Sequence, residues 1–124
     1  MGTFGQRIGI ANMAGGPFAE VDALVDTGAA YAWLPSSILK RLGVSPHETA
    51  SFILADGREV EYPLAWIRVR IDRRTEFTLC IFGDEGTEPL LGSFTLEAFR
   101  LAVDPFNKRL IPVPGLLKLE KQTP

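Results

Sequence analysis

The sequence predicts a mainly β domain with one or two short helices. Glycine and proline, with 12 and 9 copies in 124 residues, interrupt the chain at short intervals. Between them lie runs in which apolar and polar residues alternate with period two, which is typical of half-buried strands. The clearest helical spacing covers only residues 35–42, so we expect helices to be a minor part of the fold.

The composition fits one globular domain. Hydrophobic residues make up 46% of the chain and charged residues 23%, which is ordinary for a folded domain. A chain of this size can bury about two thirds of the surface that it exposes when unfolded. We therefore predict one domain over residues 1–124, with a core over about 4–113 and a tail over 114–124.

Charge and cysteine content exclude several classes of partner. The formal net charge is -2, and lysines and arginines are interspersed with acids, so we expect no nucleic-acid partner. With Cys80 as the single cysteine and His47 as the single histidine, neither an internal disulfide nor a Cys/His zinc site can form. No apolar run has the length of a membrane span, and residues 1–7 lack the apolar stretch of a signal peptide. We expect a cytoplasmic protein without membrane contact, metal or other cofactor.

The first half of the chain predicts a hairpin and a short helix. Residues 4–12 and 18–25 read as strands on either side of Gly15-Gly16-Pro17, which is a turn signal. Residues 35–42 carry apolar side chains at helical spacing, and Gly43 follows as a plausible C-cap.

A second hairpin is predicted over residues 51–64. Its turn would be Asp56-Gly57, because glycine readily adopts the positive φ angles of tight turns. Apolar residues then alternate with polar ones over 67–71 and again over 77–81, which predicts two core strands.

The end of the chain predicts a short helix and a closing pair of strands. Ser93 could cap a helix that ends at Phe99. Residues 101–103 and 110–113 bracket Asp-Pro-Phe-Asn-Lys at 104–108, a strong turn signal.

The most informative segment is Asp26-Thr27-Gly28, at the end of an apolar strand. A carboxylate is costly to place there unless it is satisfied or used. The alternative is that Asp26 simply opens a turn. The triplet arises by chance in about one chain in fifty of this length, so the rest of the sequence has to decide between the two interpretations.

The order of the motifs indicates a family. Asp26-Thr27-Gly28-Ala29 is followed by Ala55-Asp56-Gly57, then by Leu91-Gly92 before a short helix, and then by an Asp-Pro to Leu-Ile-Pro-Val segment at 104–113. Over residues 19–113 the chain resembles the retropepsin family of aspartic proteases, and within it the small non-viral bacterial and archaeal members. The resemblance implies a retropepsin-like, single-lobe acid protease fold with a closed β-barrel.

The resemblance also implies an aspartic endopeptidase that acts on peptides or proteins. Peptide hydrolysis by this route uses a water held between two carboxyl groups that share one proton. The sequence contains only one Asp-Thr-Gly, so one chain would hold half a site. We therefore expect a two-fold homodimer, with both copies of Asp26 at the symmetry axis.

Further roles follow from the family. The hydroxyl of Thr27 would hydrogen-bond across the dimer, Gly28 would let the backbone approach the two acids, and Ala29 completes the motif. Leu91-Gly92 would pack behind the catalytic loop. The hairpin over 51–64 would be the flap that closes over a bound peptide. Its tip would consist of Ala55, Asp56, Gly57 and Arg58.

Departures from the viral pattern leave alternatives open. Ala30 and Tyr31 stand where viral enzymes commonly carry polar side chains, which leaves the substrate preference undefined. The main rival function is a dimeric peptide-binding module with the same fold and little or no turnover. A purely structural β domain gives no reason for an acid at the end of a strand. The tail over 115–124 could build a terminal dimer sheet or be a frayed end.

Other candidate residues have simpler explanations. We expect His47 to be a solvated loop residue and Cys80 to be a small buried side chain. Trp33 and Trp66 could line a peptide groove, although core packing is the more frequent role of tryptophan.

Overall fold

The computed structural model describes residues 3–114, which form nine strands and two short helices. The strands are β1 (Phe4–Asn12), β2 (Gly15–Val25), β3 (Ala32–Pro35), β4 (Glu48–Ile53), β5 (Glu59–Ile71), β6 (Arg74–Gly83), β7 (Leu90–Leu91), β8 (Leu101–Asp104) and β9 (Arg109–Pro112). The helices are α1 (Ser36–Arg41) and α2 (Ser93–Phe99). The mainly β fold with two short helices is confirmed.

Seven strands form one sheet in the order β1-β2-β7-β3-β6-β5-β4. An additional pairing of β1 with β5 closes the sheet into a ring and leaves β4 outside it, on the edge of β5. Two neighbouring pairs, β2–β7 and β3–β6, are parallel. The strands β8 and β9 form a separate antiparallel hairpin.

The core lies inside the ring, as the alternation predicted. Along β5, Ile67, Val69 and Ile71 are buried, whereas Trp66 is exposed and the alternating residues Arg68 and Arg70 are half-buried. Helix α2 covers one side of the ring with Leu96 and Phe99. The hydroxyls of Thr78 on β6 and Thr95 on α2 are both fully buried, and they hydrogen-bond to each other at 2.9 Å. This pair satisfies two polar groups that burial would otherwise leave without partners.

The first turn differs from the prediction. The chain reverses at Met13-Ala14, and Gly15-Gly16-Pro17 begins β2. The side chain of Asn12 decides the position, because its Oδ1 accepts the Ala14 N–H at 2.9 Å and so builds the turn locally. Gly15 and Gly16 then take φ angles of 124° and 90°, which suit glycine at the start of the second strand.

Two smaller predictions have mixed outcomes. Ser93 is the first residue of α2 and not its cap, since Gly92 occupies the cap position and no side chain caps the helix. Cys80 is fully buried, as expected, and burial raises the pKa of its thiol. Neither helix in residues 3–114 reaches the length of a bilayer span, as α1 has six residues and α2 seven.

Candidate active site

Asp26 lies at the point where β2 leaves the sheet. The last pairs of β2 with β7 join Leu24 to Leu90 and Val25 to Leu91. The Asp26 N–H then donates to the Leu91 carbonyl at 3.0 Å. The parallel pairing of two strands that are distant in sequence therefore fixes the backbone from which the carboxylate projects.

The loop after Asp26 is held by the aspartate itself. Its Oδ1 accepts the Gly28 N–H at 2.9 Å, and its carbonyl accepts the Ala29 N–H at 3.1 Å. Asp26 is half-buried, whereas Thr27 and Gly28 are exposed. Within residues 3–114, Oδ2 accepts no hydrogen bond, so this oxygen is available to a water molecule or to a second carboxyl group.

The start of α2 supports the loop from behind. The Ser93 N–H donates to the Ala29 carbonyl at 2.8 Å, and the Phe94 N–H donates to the Ala30 carbonyl at 2.9 Å. At Gly92 a Cβ atom would lie 2.7 Å from the Ala29 carbonyl oxygen and 2.8 Å from backbone atoms of the next two residues. Only glycine fits here without displacing the loop.

The exposed side of the loop opens into a cavity of about 360 Å³. It is lined by Thr3, Phe4, Val25, Asp26, Thr27, Gly28, Val103 and Pro105. The Asp26 carboxylate is thus one of few polar groups in an apolar surrounding. The structure places the three residues of the triplet together and adds residues from β1 and β8, which the sequence did not indicate.

The turn between β8 and β9 forms one wall of this cavity. Asp104 orders the turn, because its Oδ1 accepts the N–H groups of Phe106 and Asn107 and its Oδ2 accepts the Asn107 side-chain amide at 2.8 Å. The Asn107 side chain and these N–H groups hold the pKa of Asp104 below its ordinary value. Next to Pro105, Phe106 is 91% exposed on this ordered turn.

The predicted flap is a hairpin formed by β4 and the first part of β5. Gly57 has a φ of 89° and closes the turn by donating to the Leu54 carbonyl at 2.8 Å. Asp56 accepts the Arg58 N–H and pairs with the Arg58 guanidinium at 2.8 Å. These contacts hold the pKa of Asp56 below its ordinary value. Residues 55–58 do not line the Asp26 cavity, and their role as a flap stays a proposal.

An aromatic cluster joins this hairpin to the catalytic loop. The Tyr31 ring contacts Phe52 on β4 at 6.1 Å between centroids and Phe94 on α2 at 5.7 Å. Phe94 also contacts Trp66 on β5 at 6.2 Å. Trp66 is 38% exposed, so it belongs to the outer surface and not to the core. Trp33, in contrast, is half-buried and packs against Tyr62.

Several residues around the site have no recognisable signal in the sequence. The Tyr31 contacts join three elements, and Phe106 is next to the cavity because Val103 and Pro105 line it together with Asp26. Such proximity between segments that are distant in sequence leaves no local pattern. In residues 3–114 no group of three or more histidine, cysteine, aspartate or glutamate side chains comes together as a metal site would require.

The fold and the Asp-Thr-Gly loop define the class as retropepsin-like aspartic proteases. The family model described as "gag-polyprotein putative aspartyl protease" matches residues 15–98. This match covers more than half of the chain, so the chain belongs to that family. A search of curated protein sequences found no match.

Solved structures show the same fold. EIAV protease in complex with the inhibitor HBY-793 is 18% identical and has a TM-score of 0.60, with 79% of this chain and 88% of that chain covered. A retropepsin-like aspartic protease from Rickettsia conorii is 22% identical and has a TM-score of 0.55, with 83% and 88% covered. Simian foamy virus (mac) protease is 15% identical and has a TM-score of 0.52, with 73% and 91% covered. The retropepsin-like fold predicted from the sequence is confirmed.

Proposed function

We propose that this protein is an aspartic endopeptidase whose active site forms between two copies of the chain. The observation that carries the proposal is the Asp26 carboxylate, which is half-buried in an apolar cavity and has one oxygen without a partner in residues 3–114. A carboxylate in such a place is costly and is typical of a functional site.

The chemistry requires a second acid. The ionised carboxylate accepts a proton from a bound water, whose oxygen forms a bond to the scissile carbonyl carbon. The protonated carboxyl group donates its proton to the carbonyl oxygen, which gives a tetrahedral diol. The C–N bond then breaks as the amine nitrogen takes the proton that the first carboxyl group accepted from water, and the second carboxylate takes a proton back from the diol hydroxyl. The cavity offers one carboxylate, that of Asp26. A second copy of the chain supplies the other in this proposal, and Thr27, which is exposed in the single chain, donates its hydroxyl hydrogen bond across the interface.

A peptide that binds as an extended strand fits the groove that we propose between the catalytic loop and the hairpin over 51–64. By adding as a strand, the peptide would form backbone hydrogen bonds with the protein, and the rings of Tyr31 and Phe52 would contact its side chains. The aromatic character of these two side chains favours apolar or aromatic residues in the substrate.

The first test is cleavage of a random peptide library at several protein concentrations. We expect cleavage whose rate per chain falls on dilution, because a shared site is lost when the dimer dissociates. Product masses identify the cleaved bonds. A dimer that binds peptides without cleaving them would support the rival peptide-binding module, and a rate per chain that is independent of concentration in a proven monomer would contradict the shared site.

A prediction on the interface concerns Phe106. Its exposed ring lies on an ordered turn next to the Asp26 cavity, so we place it in the contact with the second copy. Replacing Phe106 with serine should weaken dimerisation by about 100-fold or more, because a phenyl group is lost from each half of the interface. Sedimentation equilibrium measures the dissociation constant.

Phe77→Ser is the matched control. Phe77 is also exposed, at 54%, but it lies on β6 and does not line the cavity. We expect it to leave the dissociation constant within about threefold of the parent, as is usual for a substitution outside an interface core. Equal effects of the two substitutions would contradict the placement of the interface at the β8–β9 turn.

A further inference from the structure

The flap hairpin begins beside a short segment of β5 that is left unpaired on one edge, between its pairing with β4 and its pairing with β1. On one edge, β5 pairs with β6 along residues 64–71. On the other edge it pairs with β4 as far as Leu64 and with β1 from Ile67 onward. Ala65 and Trp66 lie between these two ladders, so no strand supplies a partner to the Trp66 N–H. A backbone N–H in such a position needs another acceptor.

The side chain of His47 supplies that acceptor. The Trp66 N–H donates to Nδ1 of His47 at 3.0 Å, and the His47 N–H donates to the Leu64 carbonyl at 2.8 Å. His47 thus continues the β4–β5 ladder by one backbone bond and one side-chain bond. The bond from Trp66 requires a lone pair on Nδ1, so it forms only with an imidazole that carries its proton on Nε2 and none on Nδ1.

We propose that His47 is a pH-sensitive positioning residue that holds the start of β4, the first strand of the flap hairpin, against Trp66 of β5. Protonation of the imidazole places an N–H on Nδ1, where it faces the Trp66 N–H at the same short distance. Two donors then oppose each other, and the bond is lost. The start of β4 is therefore held to β5 by the Trp66–His47 bond at neutral pH, and this bond is lost at mildly acidic pH. The consequence for peptide binding rests on the proposed function, whereas the hydrogen bond itself does not.

His47 has no charged partner among the described residues. The charged side chains on the elements around this point are Glu48 on β4, Glu59, Glu61, Arg68 and Arg70 on β5, Lys40 and Arg41 on α1, Arg7 on β1, Arg74 and Glu76 on β6, and Glu97 on α2. Arg68 donates hydrogen bonds to the carbonyls of Asn12 and Gly16, and Arg70 forms an ion pair with Glu20. In the part of the chain that the structure describes, no carboxylate forms an ion pair with His47. His47 is exposed, so protons reach it directly.

The rest of the hairpin is held by contacts that do not change in this pH range. The Phe52 ring packs against the Tyr31 ring, and the turn of the hairpin is closed by the hydrogen bond from the Gly57 N–H to the Leu54 carbonyl. His47 is the only histidine of the chain. Histidine is the side chain whose charge ordinarily changes between about pH 5 and 8, so a structural transition there is assigned to one group.

The test is amide hydrogen exchange of the flap hairpin, residues 51–64, and of Trp66 at about pH 7.5 and about pH 5, corrected for intrinsic exchange. In the parent we expect the protection of these amides to fall about three- to tenfold at the lower pH, the factor expected for one partly exposed hydrogen bond. The strand over 67–71 serves as an internal reference. His47→Asn keeps an acceptor oxygen near the position of Nδ1 but cannot be protonated, so its protection should not change with pH. His47→Ala should show the lower protection at both values.

Three results would overturn the proposal. These are a parent whose hairpin protection is the same at both pH values, an asparagine variant that responds to pH as the parent does, and an alanine variant that retains the protection of the parent at neutral pH. Exchange is measured without substrate, so the outcome is independent of activity. A protein that shows the predicted exchange but cleaves no peptide would refute the proposed function and leave the role of His47 standing.

Discussion

Replacing Asp26 with asparagine should abolish peptide cleavage and leave the fold and the dimer intact. Asparagine cannot accept the proton of the attacking water, and general acid–base catalysis of this kind contributes about 10²- to 10⁴-fold. Its side-chain oxygen can still accept the Gly28 N–H that Oδ1 of Asp26 accepts at 2.9 Å. Turnover of a library-derived peptide and the melting temperature measure the two halves of this prediction.

The Asp26→Asn substitution should also change the stability of the dimer in a definite direction. Two adjacent carboxyl groups repel when both are ionised, and this repulsion grows as the pH rises toward neutrality. The melting temperature should therefore hold or rise, with the larger difference at neutral pH. Mixing parent and variant in equal amounts should leave about a quarter of the dimers as parent homodimers. Cleavage should therefore fall to about a quarter of the rate of the parent at the same total chain concentration. Cleavage by the pure variant within about tenfold of the parent rate would rule out the aspartic mechanism.

Replacing Gly92 with alanine should destabilise the protein and displace the catalytic loop. The added Cβ would lie 2.7–2.8 Å from three backbone atoms of residues 29–31, and backbone cannot move aside as a flexible side chain can. Overpacking of this kind costs about 1–3 kcal/mol, and we expect the upper end of that range. The bonds from Ser93 and Phe94 to the loop carbonyls should weaken with it. Thermal unfolding, together with peptide turnover below the melting temperature, provides the measurement.

Gly5→Ala is the control for this substitution. Gly5 is exposed on β1, and the nearest atom to an added Cβ is 3.9 Å away. The φ angle of Gly5 is not in the left-handed region, so alanine meets neither a clash nor strain. Its unfolding free energy should stay within about 0.5 kcal/mol of the parent. An alanine at position 92 that is tolerated equally well would show that Gly92 does not support the loop.

Much of the local structure could be predicted because local rules determine it. The alternation from 67 to 71 predicted a buried strand, and Ile67, Val69 and Ile71 are buried in β5. Asp56-Gly57 predicted a tight turn, and Gly57 has the positive φ that such a turn requires. The first turn lies before the glycine pair that predicted it, because the side chain of Asn12 forms the turn through its own hydrogen bond to the Ala14 N–H.

The role predicted for His47 shows where local reasoning fails. The sequence suggested a solvated loop histidine, and the side chain is indeed exposed. Its Nδ1 nevertheless accepts a hydrogen bond from the Trp66 N–H, 19 residues away, because on the edge that faces β4 and β1 no strand pairs with β5 at Trp66. The gap depends on where two other strands end, and no pattern near His47 encodes it.

The sequence by itself determined the strands other than β3 and β7, the short helices and the position of an acid at the end of an apolar strand. These features follow from side-chain periodicity and turn chemistry, which act over a few residues. Only the tertiary structure decided that β7 lies parallel to β2 behind Asp26, that Gly92 contacts the loop over 29–31, and that the β8–β9 turn borders the cavity. Each of these depends on packing between distant segments, where the shape of the closed ring and the exclusion of overlapping atoms select one arrangement.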